Sequence, residues 1–145
     1  MKKILIFLLA LILCACAKTV PERNIDTKVK LLFFYISTCS ECKAFQSEAI
    51  PYLEKSFGEN IEIELYDLDD SQTKEIYDNV IDSLADFDES MYGMGPMYAV
   101  DTYYAKVGYT SGDEEELAND IEKAVKHQEL GYELEAYRFY YKEEK

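Results

Sequence analysis

Cys39 and Cys42, three positions apart, are the residues of this sequence best suited to covalent chemistry. The residues before them, 29–36, are nearly all apolar and rich in aromatic and β-branched side chains, the pattern of a strand covered on both faces. Those after them, 41–57, set Cys42, Phe45, Ala49 and Leu53 at helical spacing. A Cys-x-x-Cys between such a strand and such a helix has a specific consequence. The first sulfur falls where unpaired backbone N–H groups and the helix dipole stabilise a thiolate. Cys39 is therefore the expected nucleophile. Cys42, on the first helical turn, is placed to attack a mixed disulfide at Cys39 and release the reduced substrate. The same pair supplies half of a zinc or copper set, but the remaining ligands are missing. The single histidine, His127, falls at the end of a predicted helix and is expected at the surface. No metal and no cofactor is expected.

The elements that must position these thiols are legible from periodicity. Pro51 lies inside the first helix and is expected to kink it. Residues 61–68 alternate, with Ile61, Ile63 and Leu65 opposite Glu62, Glu64 and Tyr66, as in a half-exposed strand. A second helix follows, capped by Asp70 or Ser71, with Ile76, Val80, Ile81 and Leu84 as its apolar stripe and an acidic loop at 86–90 behind it. Residues 97–100 and 103–107 bracket Asp101-Thr102 as a hairpin. Residues 111–113 offer caps for a last helix whose buried stripe is Leu117, Ile121, Ala124 and Val125. The tyrosine-rich segment 132–141 fits either a helix face or an edge strand. A tail packed on the sheet edge is favoured over a docking surface built from Tyr132, Tyr137, Tyr140 and Tyr141. Met91, Met94 and Met97 are expected to pack in the core rather than to form a substrate rim or a soft-metal site. The element order is βαβ, α, ββ, α.

The first residues differ in kind from the rest. Lys2 and Lys3 precede an apolar run at 4–13 and small residues around Cys14 and Cys16, which reads as a secretion signal. The run is short of the about 20 apolar residues that a membrane span needs. Leu13-Cys14-Ala15-Cys16 resembles the lipobox of bacterial lipoproteins, in which a Leu three places before and a small residue one place before mark the lipidated cysteine. Cys16 fits that rule and Cys14 does not. The resemblance implies a signal peptide at 1–15, a lipidated N-terminus and tether at 16–28, and a domain held on the extracytoplasmic face of the cell membrane. Fully extended, the tether reaches about 35 to 40 Å, so the domain is expected to move over its anchor. Without residues 1–15 the chain carries 13 Lys and Arg against 29 Asp and Glu, a net charge of −16. That charge opposes binding to nucleic acid and to anionic head groups.

Residues 29–128 resemble the thioredoxin superfamily. Phe33-Phe34-Tyr35 before Cys39-Ser40-Glu41-Cys42-Lys43 matches the family's strand, redox motif and following basic residue, and Gly95-Pro96 before a strand matches its cis-proline. The likeness implies a thioredoxin-like α/β fold with a central mixed sheet flanked by helices, followed by a C-terminal extension at 129–145. It also implies that Gly95 and Pro96 shape a groove along which substrate backbone pairs. Thr38 stands where thioredoxins carry a tryptophan, Phe33 where they carry a buried acid, and Glu64 where a lysine accompanies that acid. Proton transfer to Cys42 then falls to water or to another carboxylate, with Glu41 the candidate relay. Glu41 also opposes a Cys39 thiolate, which predicts a pair less oxidising than strong periplasmic oxidants. The expected function is a membrane-anchored thiol-disulfide oxidoreductase that exchanges disulfides with exported proteins or peptides and is recharged by a membrane redox partner. Two other readings stand beside it: a non-catalytic accessory lipoprotein that binds a transporter or secreted peptide, and a metallochaperone.

Overall fold

The apolar run ahead of the cysteines becomes an interior strand, β1 (Val29–Tyr35), of a mixed five-stranded sheet. The computed structural model describes residues 19–143, so the signal segment 1–15 and Cys16 lie outside the described residues. β2 (Ile61–Asp67) pairs parallel with β1 in the register Val29↔Ile61 to Tyr35↔Asp67. β3 (Met97–Val100) runs antiparallel to β1, β4 (Tyr104–Val107) antiparallel to β3, and β5 (Arg138–Tyr140) antiparallel to β4. The sheet order is β2-β1-β3-β4-β5. This is the thioredoxin-like α/β arrangement that the resemblance implies.

Because side chains alternate along a strand, β1 feeds two cores. Leu31 and Phe33 point to the layer of the helix that follows Cys39, where Phe45, Ala49, Leu53, Tyr98, Leu117 and Ile121 are buried with them. Phe34 points to the other face, among Tyr77, Val80, Ile81, Met97 and Ala105. The sheet is thus covered on both sides. Phe33 stacks on Phe45 at 4.2 Å between centroids and 7° between planes, and each such buried ring contributes about 1.5 to 3 kcal/mol.

α1 runs from Ser40 to Phe57 and solves the Pro51 problem without breaking. A proline cannot donate to the carbonyl four residues back, and its ring crowds that carbonyl. The helix is α-helical over Ser40–Ala44, π-helical over Phe45–Ala49 and α-helical again over Ile50–Phe57. The Ile50 N–H reaches Phe45 O, five residues back, so the coil widens just before the proline.

The second helix, α2 (Thr73–Ser83), begins later than expected. Its cap position is Gln72, with no side-chain cap bond, while the Asp70 carboxylate accepts from Gln72 N at 2.9 Å in the preceding turn. Its buried stripe gains Tyr77, which the periodicity did not single out. The hairpin loop is one residue longer than the Asp101-Thr102 reading. Val100 pairs with Tyr104, Tyr103 sits in the turn, and Asp101 takes φ 45, a conformation that Asp tolerates through its short polar side chain. α3 (Glu114–Val125) follows Asp113, with Leu117, Ala118, Asp120, Ile121 and Ala124 buried.

One segment packs more closely than expected. Residues 16–28 read as a free tether, yet from Arg23 the chain lies on the domain. Arg23 N–H donates to Ser56 O at 2.7 Å, its guanidinium pairs with Glu122 at 2.7 Å, and Ile25 is buried in the α1 layer. An isolated isoleucine and an arginine gave no periodic signal to reveal this. At the other end, the tyrosine-rich segment contributes β5, the edge strand, held by a buried ion pair between Arg138 and Asp120 at 2.5 Å. Tyr132, Tyr137 and Tyr140 remain exposed.

Candidate functional site

The thiol pair stands where β1 hands over to α1. Cys39 occupies the N-cap of α1: its N–H donates to Ile36 O at 3.0 Å, and its sulfur accepts from Cys42 N–H at 3.1 Å. A sulfur in this position takes one of the amide donors that the first turn of a helix leaves unpaired. Cys39 is partly exposed, whereas Cys42 is buried at 1% exposure. The two sulfurs therefore differ in access: only Cys39 can meet an incoming disulfide first.

The Gly95–Pro96 peptide is cis and lies against the pair. The Cys39 thiol donates to Gly95 O at 3.5 Å. A Cβ at position 95 would sit 3.2 Å from Cys42 Sγ and 3.3 Å from Ile36 N, close contacts that its neighbours would have to give a few tenths of an ångström to accept. Upstream, Gly93 N donates to the Tyr77 hydroxyl at 2.9 Å, and this bond fastens the loop to α2. Tyr77 and Tyr92, together with Leu68, Lys74 and Gly93, line a cleft of about 350 Å³ that extends to Ile36, the residue whose carbonyl accepts from Cys39 N–H. Neither tyrosine was singled out in the sequence. Tyr77 had a signal, since it lies one helical turn before the buried Val80 and Ile81, whereas the role of Tyr92 depends on a loop folding back onto α2.

Burial pushes the Cys42 thiol up to about 12, reinforced by its hydrogen bond with Cys39 and, more weakly, by the negative charge of Glu41; the Ile36 amide pulls the other way. No acid lies beneath it at Phe33, which is fully buried and stacked on Phe45. Glu64 is on the β2 surface, paired with Lys30 at 2.8 Å and accepting from the Tyr66 hydroxyl at 2.6 Å. Glu41 is exposed on the first turn of α1 and lines a shallow depression with Ala44, Tyr109, Thr110 and Ser111. Among the described residues it makes no hydrogen bond to either sulfur. A raised thiol pKa means a small thiolate fraction that grows about tenfold per pH unit below it. The step in which Cys42 attacks should therefore accelerate about tenfold per unit between pH 7 and 9. Rapid acid quench of a preformed mixed disulfide at Cys39 measures this rate, and a flat profile would remove Cys42 deprotonation as its control.

The other sequence candidates disperse. His127 is exposed at the end of α3, its ring edge-on to Tyr103 at 6.1 Å. Met97 is fully buried in the α2-side core, Met91 packs against that core, and Met94 is 51% exposed on the loop before Gly95. The three methionines are not one cluster. Among the described residues no three His, Cys, Asp or Glu side chains converge as a metal set.

No protein-family model matches this chain, and a search of curated proteins finds no match. Among solved structures the chain is similar to thioredoxin-2, described as a component of malaria parasite protein secretion machinery. That similarity has 19% identity and a TM-score of 0.46, and covers 72% of this chain and 87% of that one. The sheet order, helices on both faces, a Cys-x-x-Cys capping α1 and a cis-proline loop against it make up a thioredoxin-like fold with two thiols at a helix start.

Proposed function

We propose that this protein is a membrane-anchored, extracytoplasmic thiol-disulfide oxidoreductase, lipidated at Cys16, that exchanges disulfides with exported proteins or peptides. The observation that carries the reading is the pairing of an accessible, N-capping Cys39 with a buried Cys42, both against the cis Gly95–Pro96 peptide. A helix-capping sulfur with a second thiol one turn on is an arrangement suited to exchange.

In the reducing direction the Cys39 thiolate attacks one sulfur of a substrate disulfide. A Cys39–substrate disulfide forms, and the other substrate sulfur leaves as a thiolate and takes up a proton. Cys42 then loses its proton and attacks Cys39 Sγ. The Cys39–Cys42 disulfide forms, and the second substrate sulfur leaves as a thiol. Two electrons and two protons pass from the protein pair to the substrate; the oxidising direction is the same sequence reversed. Glu41, one residue before Cys42, serves as the proton relay through water, and Pro96 and Gly95 form the wall along which substrate backbone lies. Outside the cytoplasm disulfides persist, so turnover in the reducing direction requires a membrane redox partner to return the pair to dithiol.

Titration of the full chain in graded thiol buffers, with alkylation and mass spectrometry counting free Cys39 and Cys42, tests this reading. Reversible two-electron cycling is expected, with a midpoint well below the about −120 mV of the strongest dithiol oxidants. Thiols that never pair, or a disulfide that resists every buffer, would overturn the enzyme reading.

A further inference from the structure

The cleft that reaches Ile36 has a lining that the exchange of sulfur bonds does not itself require. Ile36 and Leu68 are apolar, Tyr77 and Tyr92 meet edge to face with ring centroids 5.3 Å apart, and Asp69 and Asp70 complete the wall from the turn after β2. A volume of about 350 Å³ is at the small end of ligand pockets and suits one large side chain. The charges around it do not cancel. Lys74 is the cation of the lining, and it is already held: its ammonium donates to Asp78 at 2.5 Å and to the Tyr92 hydroxyl at 3.1 Å, and that hydroxyl donates to Asp78 at 2.5 Å. Asp69 and Asp70 are exposed and pair with no cation among the described residues; the Asp70 carboxylate accepts only from Gln72 N–H at 2.9 Å. Two carboxylates are therefore left over beside an aromatic wall. Tyr77, 2% exposed, uses its hydroxyl as the acceptor for Gly93 N–H, which leaves the hydroxyl proton without an acceptor among the described residues.

We propose, resting on the exchange reading above, that this cleft selects substrates by a basic side chain, arginine ahead of lysine, carried within about four residues of the substrate cysteine. Its two ends tie it to the chemistry. Ile36 O accepts from Cys39 N–H at 3.0 Å, and Gly93 stands two positions before the cis Gly95–Pro96 peptide. A substrate chain laid along Gly95 and Pro96 advances about 3.3 Å per residue, so only residues close to its cysteine come within reach of the cleft. An aromatic and apolar wall with carboxylates at its edge fits a long apolar stem that ends in a cation: the stem lies along Leu68 and the rings, and the charge meets Asp69 and Asp70. A planar guanidinium also stacks on a tyrosine face and bonds carboxylates through two donors at once, which an ammonium does not. The Tyr77 hydroxyl proton is available to a carbonyl of the same segment. An acidic side chain at that place meets two like charges, and a neutral one leaves both carboxylates unpaired in a site from which it has displaced water.

The test uses the full chain with Cys39 and Cys42 reduced, and extended peptides whose single cysteine is joined by a disulfide to 5-thio-2-nitrobenzoate. The Cys39 thiolate attacks the peptide sulfur, a Cys39–peptide disulfide forms, and the coloured thiolate that leaves reports the rate. Arg, Lys, Gln and Glu are placed in turn at each of the four positions on either side of the cysteine, and also eight positions away. At one near position the second-order rate is expected to be about tenfold higher for Arg than for Glu, with Lys between them, and the far position should show less than about twofold. Asp69→Asn with Asp70→Asn, which keeps an oxygen to accept from Gln72 N–H, should bring the near-position ratio below about threefold. Equal ratios at near and far positions would mean that only the net charge of the protein acts, and an unchanged ratio in the double variant would place recognition elsewhere; either result overturns the cleft assignment and leaves the exchange reading intact. Release from every peptide no faster than with the Cys39→Ser protein would overturn the exchange reading and this inference together.

Discussion

Replacing Cys39 with serine should lower disulfide exchange by at least about a thousandfold, because a serine oxygen cannot form the mixed disulfide through which exchange runs. The corresponding Cys42→Ser protein should behave differently. Cys39 remains accessible and still accepts from the residue 42 N–H, so the first attack survives and the mixed disulfide accumulates for lack of an internal thiol to resolve it. Reduction of a disulfide-bonded test protein, followed by turbidity, gives the first result; mass spectrometry of the adduct after alkylation gives the second. Equal losses without a trapped adduct in the Cys42 variant would mean that Cys39 is not the entering nucleophile. Full activity in the Cys39 variant would remove the exchange mechanism and favour an accessory protein that only binds.

The largest stability effect is expected far from the thiols, at the ion pair that holds β5. Asp120 and Arg138 have side chains 4% and 2% exposed, and Arg138 also donates to Gly131 O at 2.9 Å while Gly131 N donates back to Asp120 at 2.8 Å. Lys106 adds a bond to Ala136 O at 2.6 Å in the same connection. Removing one member of a buried pair strands the other charge, which costs about 3 to 5 kcal/mol. Arg138→Met should therefore lower the urea midpoint by about 2 M. Burial already pushes the Asp120 carboxyl up, against the Gly131 bond and the Arg138 charge that pull it down. Without Arg138 it moves further up, the folded state then binds a proton more tightly than the unfolded chain, and the variant's deficit should be smallest near pH 4 and grow toward pH 7. Asp120→Leu combined with Arg138→Met should recover most of the loss, since an apolar pair of similar volume leaves no buried charge. A single-variant cost below about 1 kcal/mol would show that the strand is held by its ladder alone.

Local patterns alone carried much of this protein. The apolar run 29–36, the helical spacing behind Cys39 and the alternation at 61–67 each report a local periodicity, and each became the element expected, because burial on one or both faces imposes that period on the sequence. The order of Cys39 and Cys42 likewise put the first sulfur at the helix start, where it caps α1. What the sequence left undecided depends on contacts between distant segments. The Arg23–Glu122 pair joins positions 99 apart, the Asp120–Arg138 pair joins α3 to an edge strand, and the Gly95 loop is held by Tyr77 from another helix. Such contacts leave no period in the chain, since one residue on each side suffices to make them. The tertiary structure alone therefore decided that the chain from Arg23 is clamped at the far end of α1, that the tyrosine-rich tail takes the strand rather than the helix form, and that the Gly95 loop comes into close contact with Cys42. The physical reason is the same in all three: periodicity records which face of an element is buried, whereas packing across the fold decides against what.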